Sequence, residues 1–469
     1  MPIHNKKLVP RNKEASYHQQ ELDDWCGAAC AQMVLHSLDF DAPFINQEPL
    51  IKAMQARRGC REEEIEWAAA PDRLTKVLNA STGPPPRERF HLVRADSASS
   101  ITRRIIWNIE EFGRPAIALV YGFRHWVVVR GYTASKRPLG PDDDSYEILA
   151  LNIYDPSPAM PHDRPGTPGW PPEHRPGDEC VLEAPHGNGV LHVSYELWAG
   201  PPEDANPGAE DEDTYYMTGI GPVESTWKNK FLAICVALDR EDPADVGCGE
   251  ATEAMEALGI EKREAAVNRK DRTTGGAGRA GKRDKELDVK ANDTELNYDP
   301  VRAAVNILYD YGLRDDDEFR DVIKGAEPGK PWRVRYIGSP DSSYVVVPFS
   351  NADATPLLVC LDAKTGKYLQ ATAASNPRLD VYPMLDSDTV KATLLKTPLR
   401  IGNRSILVAQ EQLPEGDLPL VWKPCMESFT PFVPFYLVTL KMAQFSVRVY
   451  IRASDGFVCT ELTDKLGGV

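Results

Sequence analysis

The stretch QQELDDWCGAACAQMVLHSL, from Gln19 to Leu38, places a cysteine at a glycine-marked break between a polar segment and a helix. Asp23 and Asp24 start helices better than they continue them, and Gly27 loosens the chain at the turn. From Ala28 onward the residue types favour helix. Ala31, Val34, Leu35 and Leu38 recur at three- and four-residue steps, the mark of a buried helical face. Cys26 therefore falls at or just before a helix N-terminus. At such a position the terminal N–H groups and the helix dipole stabilise a thiolate. That is half of a cysteine nucleophile; the other half is a base elsewhere in the chain.

The 469 residues, 42% of them hydrophobic, suffice for two to four domains. A net charge of −16 argues against a nucleic-acid partner, because phosphate binding needs clustered Lys and Arg. The first residues are polar, without an apolar run of signal-peptide length, and no stretch is apolar for long enough to span a membrane. Nine cysteines, an odd number scattered over a long chain, fit reduced thiols better than a disulfide framework. The expected location is cytoplasmic, and delivery by a specialised secretion system would leave no trace in the sequence. No cofactor or metal is expected. His162, His174, His186 and His192 sit with Cys180 around a Pro-rich segment at spacings that match no zinc pattern, and read as solvated loop histidines.

Residues 1–238 read as one folded unit. A helical stretch is expected from Glu48 to Leu78. ITRRIIWNIEEFG then sets Ile101, Ile105, Ile109 and Phe112 on one face, with Gly113 ending the helix. PAIALVY, HWVVVRGY and EILALNIYD follow as strands, and HVSYELW and KNKFLAICVAL close the unit. The Pro-rich stretch from Pro156 to Pro185 is an extended surface loop. Residues 239–297 are charged and Gly/Ala-rich, a linker. VRAAVNILYDYGL opens an α+β region, residues 298–469, in which Trp332 and Trp422, and Gly366 and Gly456, recur at one spacing. Two related strand-rich units, about 298–380 and 381–469, are expected.

The base is sought in HWVVVRGY and EILALNIYDP. His125 opens one strand and Asp155 closes the next. A hairpin centred near Gly140 would set them opposite one another at its open end. An Asp accepting the imidazole Nδ1–H would fix the tautomer and leave Nε2 facing the thiol.

QQELDDWCGAACAQMVL, HWVVVRGY and IYDP, in this order, resemble the papain-like cysteine peptidases, closest to the bacteriocin-leader peptidase branch and its C39-like relatives. The resemblance covers about the first 235 residues. It implies a papain-like α+β domain with Cys26 as nucleophile, His125 as base, Asp155 as orienting acid and Gln20, six residues before the cysteine, as oxyanion donor. It also implies a protein or peptide substrate. The Pro-rich insertion after Asp155 departs from the pattern, and no transporter segments accompany the domain. Gln19 rivals Gln20 by one residue of register, and Asn152 rivals Asp155 as orienter. Cys30, one turn deeper in the helix, reads as core. Leader peptidases of this kind cut after paired glycines, so Gly467-Gly468 and Gly275-Gly276 are candidate self-processing sites. The expected activity is hydrolysis of a peptide or isopeptide bond, with the C-terminal region recognising substrate or regulating. A thiol acyltransferase of transglutaminase type and a binding scaffold on a dead peptidase fold are the alternatives.

Overall fold

The structure is a computed structural model. It describes residues 3–8, 17–21, 25–38, 46–55, 69–81, 89–122, 125–156, 190–200, 215–217, 230–237, 296–337, 342–374, 378, 380–382, 384–401, 404–423, 425, 428, 430–441 and 446–462. The Pro-rich loop beyond Pro156, the linker up to residue 295 and both paired-glycine sites lie outside the described residues.

The N-terminal part runs β1 (His4–Lys7), α1 (Cys26–Leu38), α2 (Gln47–Gln55), α3 (Pro71–Ser81), β2 (Arg89–Ala95), α4 (Ala98–Phe112), β3 (Ala116–Val120), β4 (His125–Ala134), β5 (Ile148–Tyr154), β6 (Val190–Ser194), α5 (Tyr195–Ala199) and β7 (Phe231–Ala237). The C-terminal part runs α6 (Pro300–Asp310), α7 (Arg320–Ile323), β8 (Glu327–Pro328), β9 (Trp332–Tyr336), β10 (Ser343–Ser350), β11 (Leu357–Asp362) and β12 (Tyr368–Ala373). It continues with α8 (Ser387–Lys396), β13 (Leu399–Ile401), β14 (Arg404–Ile406), β15 (Leu420–Trp422), β16 (Phe435–Lys441), β17 (Ser446–Arg452) and β18 (Val458–Cys459).

Mixed α/β architecture follows from how the central strands are covered. All ten residues of β4 are buried. Trp126 and Val128 point into a cluster with Cys30, Val34 and Leu74 from α1 and α3, while Val127 and Val129 join Ile101, Ile105 and Ile109 of α4. With helices on both faces, the strand reads as a nearly continuous apolar run. α4 starts where the Ser97 hydroxyl accepts from Ser100 N–H and ends at Gly113, whose φ of 62° lies in the left-handed region. The single helical stretch expected from Glu48 to Leu78 is two helices, α2 and α3. Pro71 lacks an N–H and fits the first position of a new helix better than the interior of an old one. β1 and β2 carry no clear strand signal; HNKK is polar throughout, and its pairing with β4 supplies what propensity does not.

All strands but β13 and β14, which pair with each other, form one large mixed sheet, ordered β18-β17-β16-β15-β9-β10-β11-β12-β6-β5-β4-β3-β7-β2, with β1 on β4 and β8 on β10. Every pairing in it is antiparallel except β15 on β9. The sheet is continuous across the two parts of the chain: β12 pairs with β6, Ala371 opposite His192 and Thr372 opposite Leu191. His192 is thus no solvated loop residue, as expected above, but a buried strand histidine, 1% exposed. Its Nδ1 lies 2.8 Å from the Tyr368 hydroxyl of β12, and burial pushes its pKa down to about 3. No helix among the described residues is long and apolar enough to cross a membrane.

Candidate active site

α1 begins at Cys26. The first helical hydrogen bond closes from Ala29 N–H to the Trp25 carbonyl at 2.9 Å, which puts Cys26 at the first helical position. Gly27 follows because nothing larger fits. A Cβ there would overlap the Ala69 Cβ and stand 3.3 Å from Trp126 Cδ1. Trp126 is held in turn by its indole N–H, which donates to the Ala69 carbonyl at 3.1 Å. The residue after the cysteine thus packs on the residue after the histidine, and this contact draws the two chain segments together.

His125 and Asp155 meet in a buried pair, Nε2 to Oδ1 at 2.7 Å, with His125 3% and Asp155 8% exposed. The expected hairpin register is corrected. Val128 pairs with Tyr154 and Val129 with Ile153, two residues from the expected alignment, and irregularities follow after Val129 and Thr133. Because the slip is even, Asp155 stays on the expected face. Continued along the strands, this register sets Asp155 level with Val127, diagonal to His125. The nitrogen assignment is corrected too: the ring atom that meets Asp155 is Nε2, not the expected Nδ1. Asn152, the alternative orienter, is placed elsewhere. It pairs with Gly131 in β5, well inside the strand, and lines a separate cavity.

Gln20 is buried, and its backbone N–H donates to the Pro156 carbonyl at 2.8 Å. Tyr17 ties the same segment to the orienting acid, its hydroxyl donating to the Asp155 carbonyl at 2.8 Å. The segment is fixed from its other side by Gln47 of α2, a residue the sequence reading missed. Gln47 Oε1 accepts from Glu21 N–H at 2.9 Å, and Nε2 donates to the Gln19 carbonyl at 2.7 Å and to Gln32 Oε1 at 3.1 Å. Gln19 is half-buried and contributes its main chain to this clamp. A glutamine on a short amphipathic helix gives no signal of such a role. Only its burial, 2% exposed, reveals it.

Cys26 is buried (2% exposed), as are the thiols of Cys30, Cys235, Cys360 and Cys425. Cys30 is fully buried, and burial pushes its thiol pKa well up, with smaller contributions from Cys26 and Asp155. Both groups therefore lie within electrostatic reach of one point on α1. Burial lifts Cys235 to about 12 and Cys360 well above the ordinary thiol value. Next to the site, His18 Nε2 lies 2.8 Å from His36 Nδ1, pinning the Gln20 segment to the last turn of α1. His162, His174 and His186 lie outside the described residues, as does Cys180. Searches of known protein families, curated proteins and solved structures find no match to this chain.

Proposed function

We propose that the chain is a cysteine peptidase with a papain-like N-terminal domain, acting on a protein or peptide substrate. The observation that carries this reading is the buried His125–Asp155 pair beside a helix that starts at Cys26. His125 takes the Cys26 proton at Nδ1 while Asp155 holds Nε2 and stabilises the imidazolium. The thiolate adds to the carbonyl carbon, and the Gln20 amide with a backbone N–H at Cys26 receives the oxyanion. Collapse expels the amine, which takes the proton back from His125. Water then hydrolyses the thioester with His125 again as base. The intact set Gln20, Cys26, His125 and Asp155 supports an enzyme over a binding scaffold.

The C-terminal part is assigned to substrate recognition or regulation, as two related units. The repeated order of α6, β9, β10, β11, β12 and α8, β15, β16, β17, β18 supports this. So do the matching turns, in which Gly366 N–H donates to the Asp362 carbonyl and Gly456 N–H to the Arg452 carbonyl, each at 2.9 Å.

The test is labelling with a thiol-directed peptidyl warhead followed by mapping of the modified cysteine. Modification at Cys26 that disappears in His125→Ala is expected. Modification elsewhere, or at Cys26 without dependence on His125, would overturn the reading. Offering the acyl-enzyme an amine in place of water separates hydrolysis from acyl transfer.

A further inference from the structure

A second concavity lies between β1, β5, β6 and the turn after α6. It encloses about 220 Å³, room for several waters. Two side chains of the N-terminal part aim into it. Asn152 is 4% exposed, and its Oδ1 is buried with no hydrogen-bond partner among the described residues. Its amide has room because Gly131 stands opposite: a Cβ there would meet Asn152 Nδ2 at 3.1 Å and the Lys6 carbonyl at 2.9 Å.

His192 is the second. The Tyr368 hydroxyl, with its single proton, donates to the His192 carbonyl at 2.7 Å. The ring Nδ1, 2.8 Å from the same oxygen, must therefore be the donor. Nε2 is then the acceptor nitrogen, and its contact with Thr133 Oγ1 is long, 3.5 Å. That distance is the outer limit of a hydrogen bond.

Three strong donors around the cavity are committed elsewhere. Lys6 Nζ donates to the Glu110 carbonyl at 2.6 Å, Lys7 Nζ to Asp316 Oδ1 at 2.6 Å, and the Tyr132 hydroxyl to Glu110 Oε2 at 2.8 Å. The acceptors at the cavity include the unpartnered Asn152 Oδ1, His192 Nε2 and the exposed carboxylate of Asp315 at the opening. No group of three or more His, Cys, Asp or Glu side chains among the described residues is placed to hold a metal ion. A lining that offers lone pairs and negative charge is complementary to an organic donor. Tyr132 and Tyr311 add aromatic residues to the lining, a composition that favours a cation. We propose that this cavity binds a small organic cation with N–H donors, a primary ammonium, through Asn152, His192 and Asp315. Bound there, it joins the N-terminal strands to the turn after α6.

Melting of the full chain with n-butylammonium chloride, sodium butyrate or sodium chloride at matched millimolar concentration tests this. The ammonium alone should raise the midpoint, by about 2–5 °C at saturation. Asn152→Leu removes a buried acceptor that has no partner, so its midpoint without ligand should equal or exceed that of the parent while the ammonium shift vanishes. Asp315→Asn, an exposed change that leaves the fold alone, should weaken ammonium binding several-fold by calorimetry. The proposal fails if the ammonium gives no shift, if butyrate matches it, or if either variant binds the ammonium as tightly as the parent.

Discussion

Gly27→Ala should damage the candidate site without touching any residue that performs chemistry. In most helices this change stabilises by about 1 kcal/mol, because alanine loses less backbone entropy. Here the added methyl overlaps Ala69 Cβ and stands 3.3 Å from Trp126 Cδ1. Carbon atoms pack at about 3.5–4.0 Å, so the start of α1 and Ala69 must separate by about 1 Å. Ala69 cannot give way alone, since its carbonyl accepts from the Trp126 indole at 3.1 Å and its side chain is fully buried. Overpacking of this kind costs about 1–3 kcal/mol, which outweighs the propensity gain. Because the strain falls on the residue beside Cys26, the thiol shifts against His125. A displacement of about 1 Å can cost ~10²-fold in turnover. Chemical denaturation and acyl-enzyme formation, measured on Gly27→Ala, Ala69→Gly and the double variant, form a cycle that isolates the contact. The double variant should recover much of the rate lost by Gly27→Ala. A Gly27→Ala protein that is more stable than the parent and fully active would refute the packing argument, as would a double variant no better than Gly27→Ala.

Cys26→Ala should fold with an unchanged melting midpoint and show no hydrolysis, whereas residual turnover of a peptide probe would move the nucleophile elsewhere. Asp155→Asn should stay folded yet lose at least ~10³-fold in rate, since an amide can turn its N–H toward Nε2 and impose the wrong tautomer; near-normal kcat would show that Asp155 only packs. Gln20→Ala should lower kcat by about 10²-fold or more, while Gln19→Ala, which keeps the carbonyl bonded to Gln47, should be nearly silent. The reverse pattern would shift the oxyanion donor by one residue. Stability should fall with acid through His192. Its folded pKa of about 3 lies below the ordinary 6.5, so the unfolded chain takes up the proton first, and stability drains away as pH falls below 6.5. The slope approaches ~1.4 kcal/mol per pH unit inside that window, and His192→Phe should flatten it in denaturation series run at several pH values.

The placement of Cys26 at a helix start and of His125 and Asp155 at strand ends is legible because these signals are local. A helix start, the first residue of an apolar strand and the last residue of the next one can each be read within a dozen residues. Their joint geometry was less legible. The hairpin arithmetic was two residues out because irregularities after Val129 and Thr133 leave no mark in HWVVVRGYTA or EILALNIYD. It still chose the right face, since an even slip preserves the side on which a strand residue points. The ring nitrogen was misassigned too: Nε2, not Nδ1, meets the acid. Gln47 could not be found at all, since its role consists of hydrogen bonds to main-chain atoms 26 and 28 residues away.

His192 shows a limit of another kind. Beside the Pro-rich stretch, its neighbours in sequence argue for solvent. What buries it is a strand 176 residues further on, whose Tyr368 closes over the ring with a hydrogen bond to each side of the same residue. Composition describes the linker between these strands as a break in the chain, yet hydrogen bonding makes them neighbours in one sheet. The consequence reaches the site. β6 pairs along β5, Ile153 opposite Leu191 and Tyr154 opposite Val190. β5 runs directly into Asp155, so the strand ending in the orienting acid is two strands away from β12. Under the proposed function, a C-terminal part that recognises substrate or regulates needs no mobile arm to reach Asp155. Between β12 and the strand that leads into Asp155 stands β6 alone, paired with both.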